Sequence, residues 1–216
     1  MNFIEIGPIS PSIIPFVLII STLWIILVYL SYKTYGIKAT LRLFLPMMIA
    51  ALFLEAAAVA NGRYTYPGYL LNIHVLQGSI PLIILMGWGV NLFLFMHLSD
   101  YLVNHWYKHN NYLRYIFVAI GASFIGIFLD LFEDPLAHHN NWWVWTETTS
   151  TLRIFDVPYT NYLDWFLIMF FFTLTTQLIH NSQLTENRKI IVSINTVPLL
   201  GGIIFGLHYI VVTIIG

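Results

Sequence analysis

Asp130 and Asp134 stand four residues apart in the stretch FLDLFEDPLAHHNNWWVWTE, residues 128–147. On a helix, that spacing puts both carboxyls on one face. Two carboxyls so close hinder each other's ionisation, and a site of this kind can hold one of them as a neutral acid, ready to donate a proton. Glu133 lies between them and is expected to face water. Glu55 sits alone in MMIAALFLEAAAVANG, with no opposite charge for seven residues on either side. A carboxyl inside an apolar run is costly and usually faces a bundle interior or a water cavity, which makes it a functional candidate. The bland alternatives are a Glu55–Arg63 pair, or a carboxyl at a membrane interface. For Asp130 and Asp134 the bland alternative is a solvated helix end. Trp142, Trp143 and Trp145 read first as a membrane-interface belt. Their functional alternative is an aromatic wall that stabilises a cation.

The rest of the chain says what must hold these groups. Of 216 residues, 58% are hydrophobic and 9% charged, against about 25% charged in soluble domains. Mean hydropathy is +0.77, so most of the surface must meet lipid. A net charge of −1 provides no basic field for nucleic acid. With no cysteine, disulfides, thiolate metal sites and cysteine nucleophiles are excluded. Phosphate-loop, dinucleotide and G-x-S-x-G patterns are absent. The N-terminal MNFIEIGPIS lacks a positive leader region, so the first apolar segment reads as a retained span.

A spanning helix needs about 20 mostly apolar residues. Six segments qualify, at roughly 12–32, 41–60, 73–98, 112–132, 161–180 and 190–215, and a single domain over 1–216 accommodates them. The expected fold is an all-α, antiparallel six-helix membrane bundle. Seven of the nine Lys and Arg residues fall in the connections after spans one, three and five, against Arg63 and Arg153 on the other side. The positive-inside rule then puts both termini outside the cytoplasm. Pro135 is expected to stop the fourth span about a turn after Asp130. Glu55, Asp130, Asn161, Asp164, Trp165 and His208 then gather in one outer layer. Asn72, His74 and Gln77 join them as the opening of the third span. His138 and His139 adjoin Asp134, and His105 and His109 have helical ligand spacing, but adjacent histidines diverge and no HExxH motif exists. No metal and no cofactor is expected.

Three blocks resemble a known family. EAAAVANGRYTYPGYLLNIHVLQGSIPLIILMGW (55–88), DLFEDPLAHHNNWWVW (130–145) and IFDVPYTNYLDWF (154–166) are similar, in order, to the conserved blocks of the carotenoid biosynthesis membrane protein family. That family includes carotenoid 1,2-hydratases and the bisanhydrobacterioruberin hydratase of haloarchaea. The chain departs from the pattern at Asp164, where a small residue is usual, and at Asn141–Trp142, where glycine often precedes the W-x-W. The resemblance implies addition of water to the terminal double bond of a linear carotenoid or related isoprenoid, in the cell membrane of a prokaryote. Glu55, Asp130, Asp134 and Asn161 would then be catalytic. Asp130 or Glu55 would donate the proton, Asp134 would serve as the water-side base, and Asn161 would orient water. Arg63, Tyr66, Trp88, Trp145, Asp164 and Trp165 would surround the substrate. Competing readings are another isoprenoid-lipid-modifying enzyme, a lipid- or pigment-binding subunit of a membrane complex or homo-oligomer, and an ion pathway. An outer layer closed by ion pairs to Arg63 and Arg153, without a cavity, would favour the binding subunit.

Overall fold

The computed structural model describes residues 3–109, 111–147 and 152–215. Five helices among them are long and apolar enough to cross a membrane: α1 (Ile14–Ala60), α2 (Leu82–Trp106), α3 (Tyr112–His139), α4 (Tyr159–His180) and α5 (Glu186–Ile215). Short strands cover one end of the bundle: β1 (Ile4–Ile6), β2 (Tyr64–Thr65), β3 (Leu71–Val75), β4 (Gly78–Pro81), β5 (Val144–Trp145), β6 (Arg153–Ile154) and β7 (Val157–Pro158). The chain is a mostly helical, multi-pass membrane protein.

The first two expected spans form one helical run of 47 residues, about 70 Å if straight and more than twice the roughly 30 Å hydrocarbon core. It is not straight. Gly36 breaks it with φ 79°, ψ 170°, a region essentially closed to residues with a Cβ. Ser31 Oγ lies 3.0 Å from Thr40 Oγ1, although nine residues of straight helix would separate them by about 13 Å. The run therefore doubles back at Gly36. Its two ends meet the same cap: Phe16 packs 5.8 Å from Trp143, and Tyr66, just beyond the other end, packs 6.3 Å from the same indole.

Two expectations need correction. The segment 73–98 is not helical from its start. Leu71–Val75 and Gly78–Pro81 pair antiparallel, with Val75 opposite Gly78. Leu76 and Gln77 both take positive φ, 50° and 67°, as a two-residue type I′ turn requires. Asn72 and His74 thus belong to a strand and Gln77 to its turn, while the helix begins at Leu82 and runs on to Trp106. β1 adds to this hairpin through Ile4 opposite Ile73. Nor does Pro135 stop the fourth apolar segment; α3 continues to His139. A proline near a helix end costs one intrahelical bond. The actual stop is Asn140–Asn141. Asn141 takes φ 55°, its N–H bonds to the His138 carbonyl, and the Trp142 N–H bonds to that of Ala137, the two bonds of a Schellman cap. Asn61–Gly62 ends α1 the same way, with Gly62 at φ 68°, Gly62 N–H on the Val59 carbonyl and Arg63 N–H on that of Ala58.

Candidate functional site

Helical spacing aims the polar residues at one place. Glu55 and Ala58 on α1 with Asn61 at its C-terminal cap, Ile84, Trp88 and Asn91 on α2, and Asn161, Asp164, Trp165 and Ile168 on α4 follow the three- and four-residue steps of a single helix face. Together with Glu133 and Asp134 of α3 and Ile204, Phe205 and His208 of α5, they line a cavity of about 290 Å³. Two caps join above it. Tyr64 pairs with Trp145 in the β2–β5 ladder, and the two rings stand edge to face at 4.8 Å. Gly78 permits close docking of the β3–β4 hairpin, since a Cβ there would meet the Ala56 backbone at 2.9 Å.

Glu55 is 6% exposed and accepts three hydrogen bonds. Tyr64 and Tyr66 donate to Oε2 at 2.5 and 2.6 Å, and the Trp88 indole donates to Oε1 at 2.6 Å. The expected alternative of a Glu55–Arg63 pair does not form. Arg63 instead binds Asp164 at 2.7 Å and Glu147 at 3.2 Å, and reaches Thr160. Burial opposes charge on Arg63, but Asp164, and then Glu147, more than offset it and hold the guanidinium above its ordinary pKa. Burial, and then the Glu55 carboxylate, push the Tyr64 and Tyr66 phenols well above the usual tyrosine range. Both therefore remain donors to Glu55.

The aspartates form a second cluster. Asn161 Nδ2 donates to Asp130 Oδ2 at 2.8 Å and to Asp134 Oδ2 at 2.6 Å, tying α4 to α3. The Trp143 indole donates to Asp134 Oδ1 at 3.1 Å. Asp134 lines the cavity. Asp130 does not: it is fully enclosed behind Asn161, and its Oδ1 has no hydrogen-bond partner among the described residues.

The expected site residues thus converge around one hollow, Asp130 from behind. Trp145 and Trp165 line it, and Trp165 stacks on Trp88 at 4.4 Å. Two readings change. Glu133 faces the cavity rather than bulk water. Trp143 and Trp145 are buried, 7% exposed each, rather than set in a belt. His138 Nδ1 accepts the Trp145 N–H at 3.4 Å, which gives it a structural task. Among the described residues no group of three His, Asp or Glu could hold a metal ion. Tyr64 escaped the sequence reading, because nothing in RYTYPGY distinguishes the tyrosine that reaches back to Glu55 from its neighbours.

A family model described as carotenoid biosynthesis protein matches residues 14–215. No curated protein matches the chain, and no solved structure does.

Proposed function

The chain belongs to the carotenoid biosynthesis protein family, and from that premise we propose that it is a membrane-embedded hydratase, adding water to the terminal C=C of a linear carotenoid or related isoprenoid. The observation that carries this reading is the joint lining of one apolar-walled cavity by Glu55, Asp134, Asn161 and four tryptophans. Protonation of a trisubstituted alkene requires an acid and yields a tertiary carbocation. Asp130 is enclosed behind Asn161 while Asp134 lines the cavity, so the donor role expected of Asp130 passes to Asp134, first expected as the water-side base, with one proton shared across the pair. Glu55, fixed as an acceptor by three donors, supplies the negative charge that offsets the cation. The Trp88–Trp165 stack supplies π faces.

Size and position support the same reading. A polyene rod dissolves in a hydrocarbon core about 30 Å thick. The cavity, about 290 Å³, lies at the small end of ligand sites and takes an end group rather than the whole chain. Phe205 both lines it and is 45% exposed, so it reaches the outer surface of the bundle at α5. Six crossings, counting two in the run broken at Gly36, leave both termini outside the cytoplasm, in the cell membrane of a prokaryote. A binding subunit is less well supported: Arg63 ties up Asp164 and Glu147, but among the described residues Glu55 and Asp134 form no ion pair, and both line the cavity. Expression in a host that makes a linear carotene tests the reading. The expected outcome is a carotenoid heavier by one water, lost in Asp134→Asn. An unchanged carotene pool beside well-expressed protein refutes it.

A further inference from the structure

His208 of α5 lines the cavity and is fixed by a carboxylate. Its Nδ1 lies 2.7 Å from Asp164 Oδ1, while the other oxygen of Asp164 accepts from Arg63 at 2.7 Å. A carboxylate already paired with a guanidinium can only accept, so the Nδ1 of a neutral imidazole must carry the proton. The lone pair then resides on Nε2, which has no hydrogen-bond partner among the described residues. An imidazole held by a carboxylate through one nitrogen and bare at the other is the arrangement of a general base. The hydratase reading gives the aspartate–asparagine cluster the task of donating a proton, and a base on another wall is still needed for the water.

Resting on that reading, we infer that His208 Nε2 is the general base that deprotonates the attacking water, with Asp164 as its positioning residue and Arg63 fixing Asp164. The electrons balance. The alkene π pair takes the proton from the aspartate pair and becomes a C–H bond. A water lone pair closes the C–O bond on the tertiary cation. His208 Nε2 takes the proton that this oxygen sheds, and returning it through cavity water to the aspartates restores the enzyme. The net change is alkene plus water to tertiary alcohol. The charged groups that share the cavity lining with His208 are Asp164 from α4, Glu55 from α1, Glu133 and Asp134 from α3, and Arg63 from the cap, which in turn binds Glu147. Asp164 alone among them touches the ring.

The test uses the full chain in lipid vesicles with a linear carotene. His208→Asn retains a side-chain N–H able to reach Asp164 and removes the base. It is expected to lower kcat about 100-fold, the low end for acid–base catalysis, with KM held within about twofold. Nitrogen-15 spectra should show His208 as the tautomer with a bare Nε2, and Asp164→Asn should disturb that preference. An active wild type whose His208→Asn variant keeps kcat overturns the inference and leaves the hydratase reading standing. A His208 protonated on Nε2 at the working pH also overturns it. A wild type that leaves the carotene unchanged removes both.

Discussion

At the scale of single residues, the site divides its carboxyls by the company each keeps. Glu55 is surrounded by donors, so its replacement removes a charge and leaves two phenols and an indole without their acceptor. Glu55→Gln is expected to lower turnover at least 100-fold, the low end for such catalysis, with the protein still folded by its circular dichroism. Asp130→Asn should produce a loss of similar size through the shared proton. Near-normal activity in either variant removes that residue from the mechanism. The phenols make a separate prediction. Burial and Glu55 raise the folded-state pKa of Tyr64 and Tyr66, so the stability they contribute is complete below the ordinary tyrosine pKa. It is lost as pH rises through and beyond that value, where the unfolded chain ionises first. Titration at 295 nm should show at least two fewer tyrosinates in the folded protein than in the unfolded chain until the fold gives way; early ionisation of all thirteen tyrosines would contradict this. Glu55, Asp130 and Asp134 were legible because a carboxyl in an oily sequence is conspicuous. Tyr64 was not, since its role depends on where the Asn61–Gly62 cap turns the chain.

Among the elements, periodicity revealed the helices but not their interruptions. Hydropathy alone makes the third apolar segment continuous from residue 73, because LNIHV and GSIP are apolar enough to pass as helix. The I′ turn at Leu76–Gln77 decides otherwise. Pro135 misled for the opposite reason: a strong local breaker was outweighed by the Asn140–Asn141 cap one turn further on. That extra turn keeps Asp130 and Asp134 on one face. The break at Gly36 is testable. A Cβ there would meet nothing within 4 Å, so Gly36→Ala carries a backbone cost without a clash. We expect a destabilisation of about 1–3 kcal/mol, measurable by denaturant unfolding in mixed micelles. An unchanged midpoint would mean the turn does not need its glycine.

For the whole molecule, the proposed orientation puts the carboxyl-lined cavity at the extracytoplasmic end, opposite the end where most cationic residues fall. The chain has no cysteine, which makes single introduced thiols clean reporters. Thr65→Cys, on the exposed cap beside the site, should react with an impermeant maleimide in intact cells, and Lys38→Cys should react only after lysis. The reverse pattern would invert the molecule. The central claim is that this hollow brings the tip of an oily chain to water and joins the two. Its most direct measurement is incorporation of oxygen from ¹⁸O-labelled water, with the purified protein in vesicles containing a linear carotene. The account predicts one labelled tertiary hydroxyl per reacted end, abolished by Asp134→Asn. An unaltered carotene, or an alcohol whose oxygen does not come from the labelled water, would contradict it.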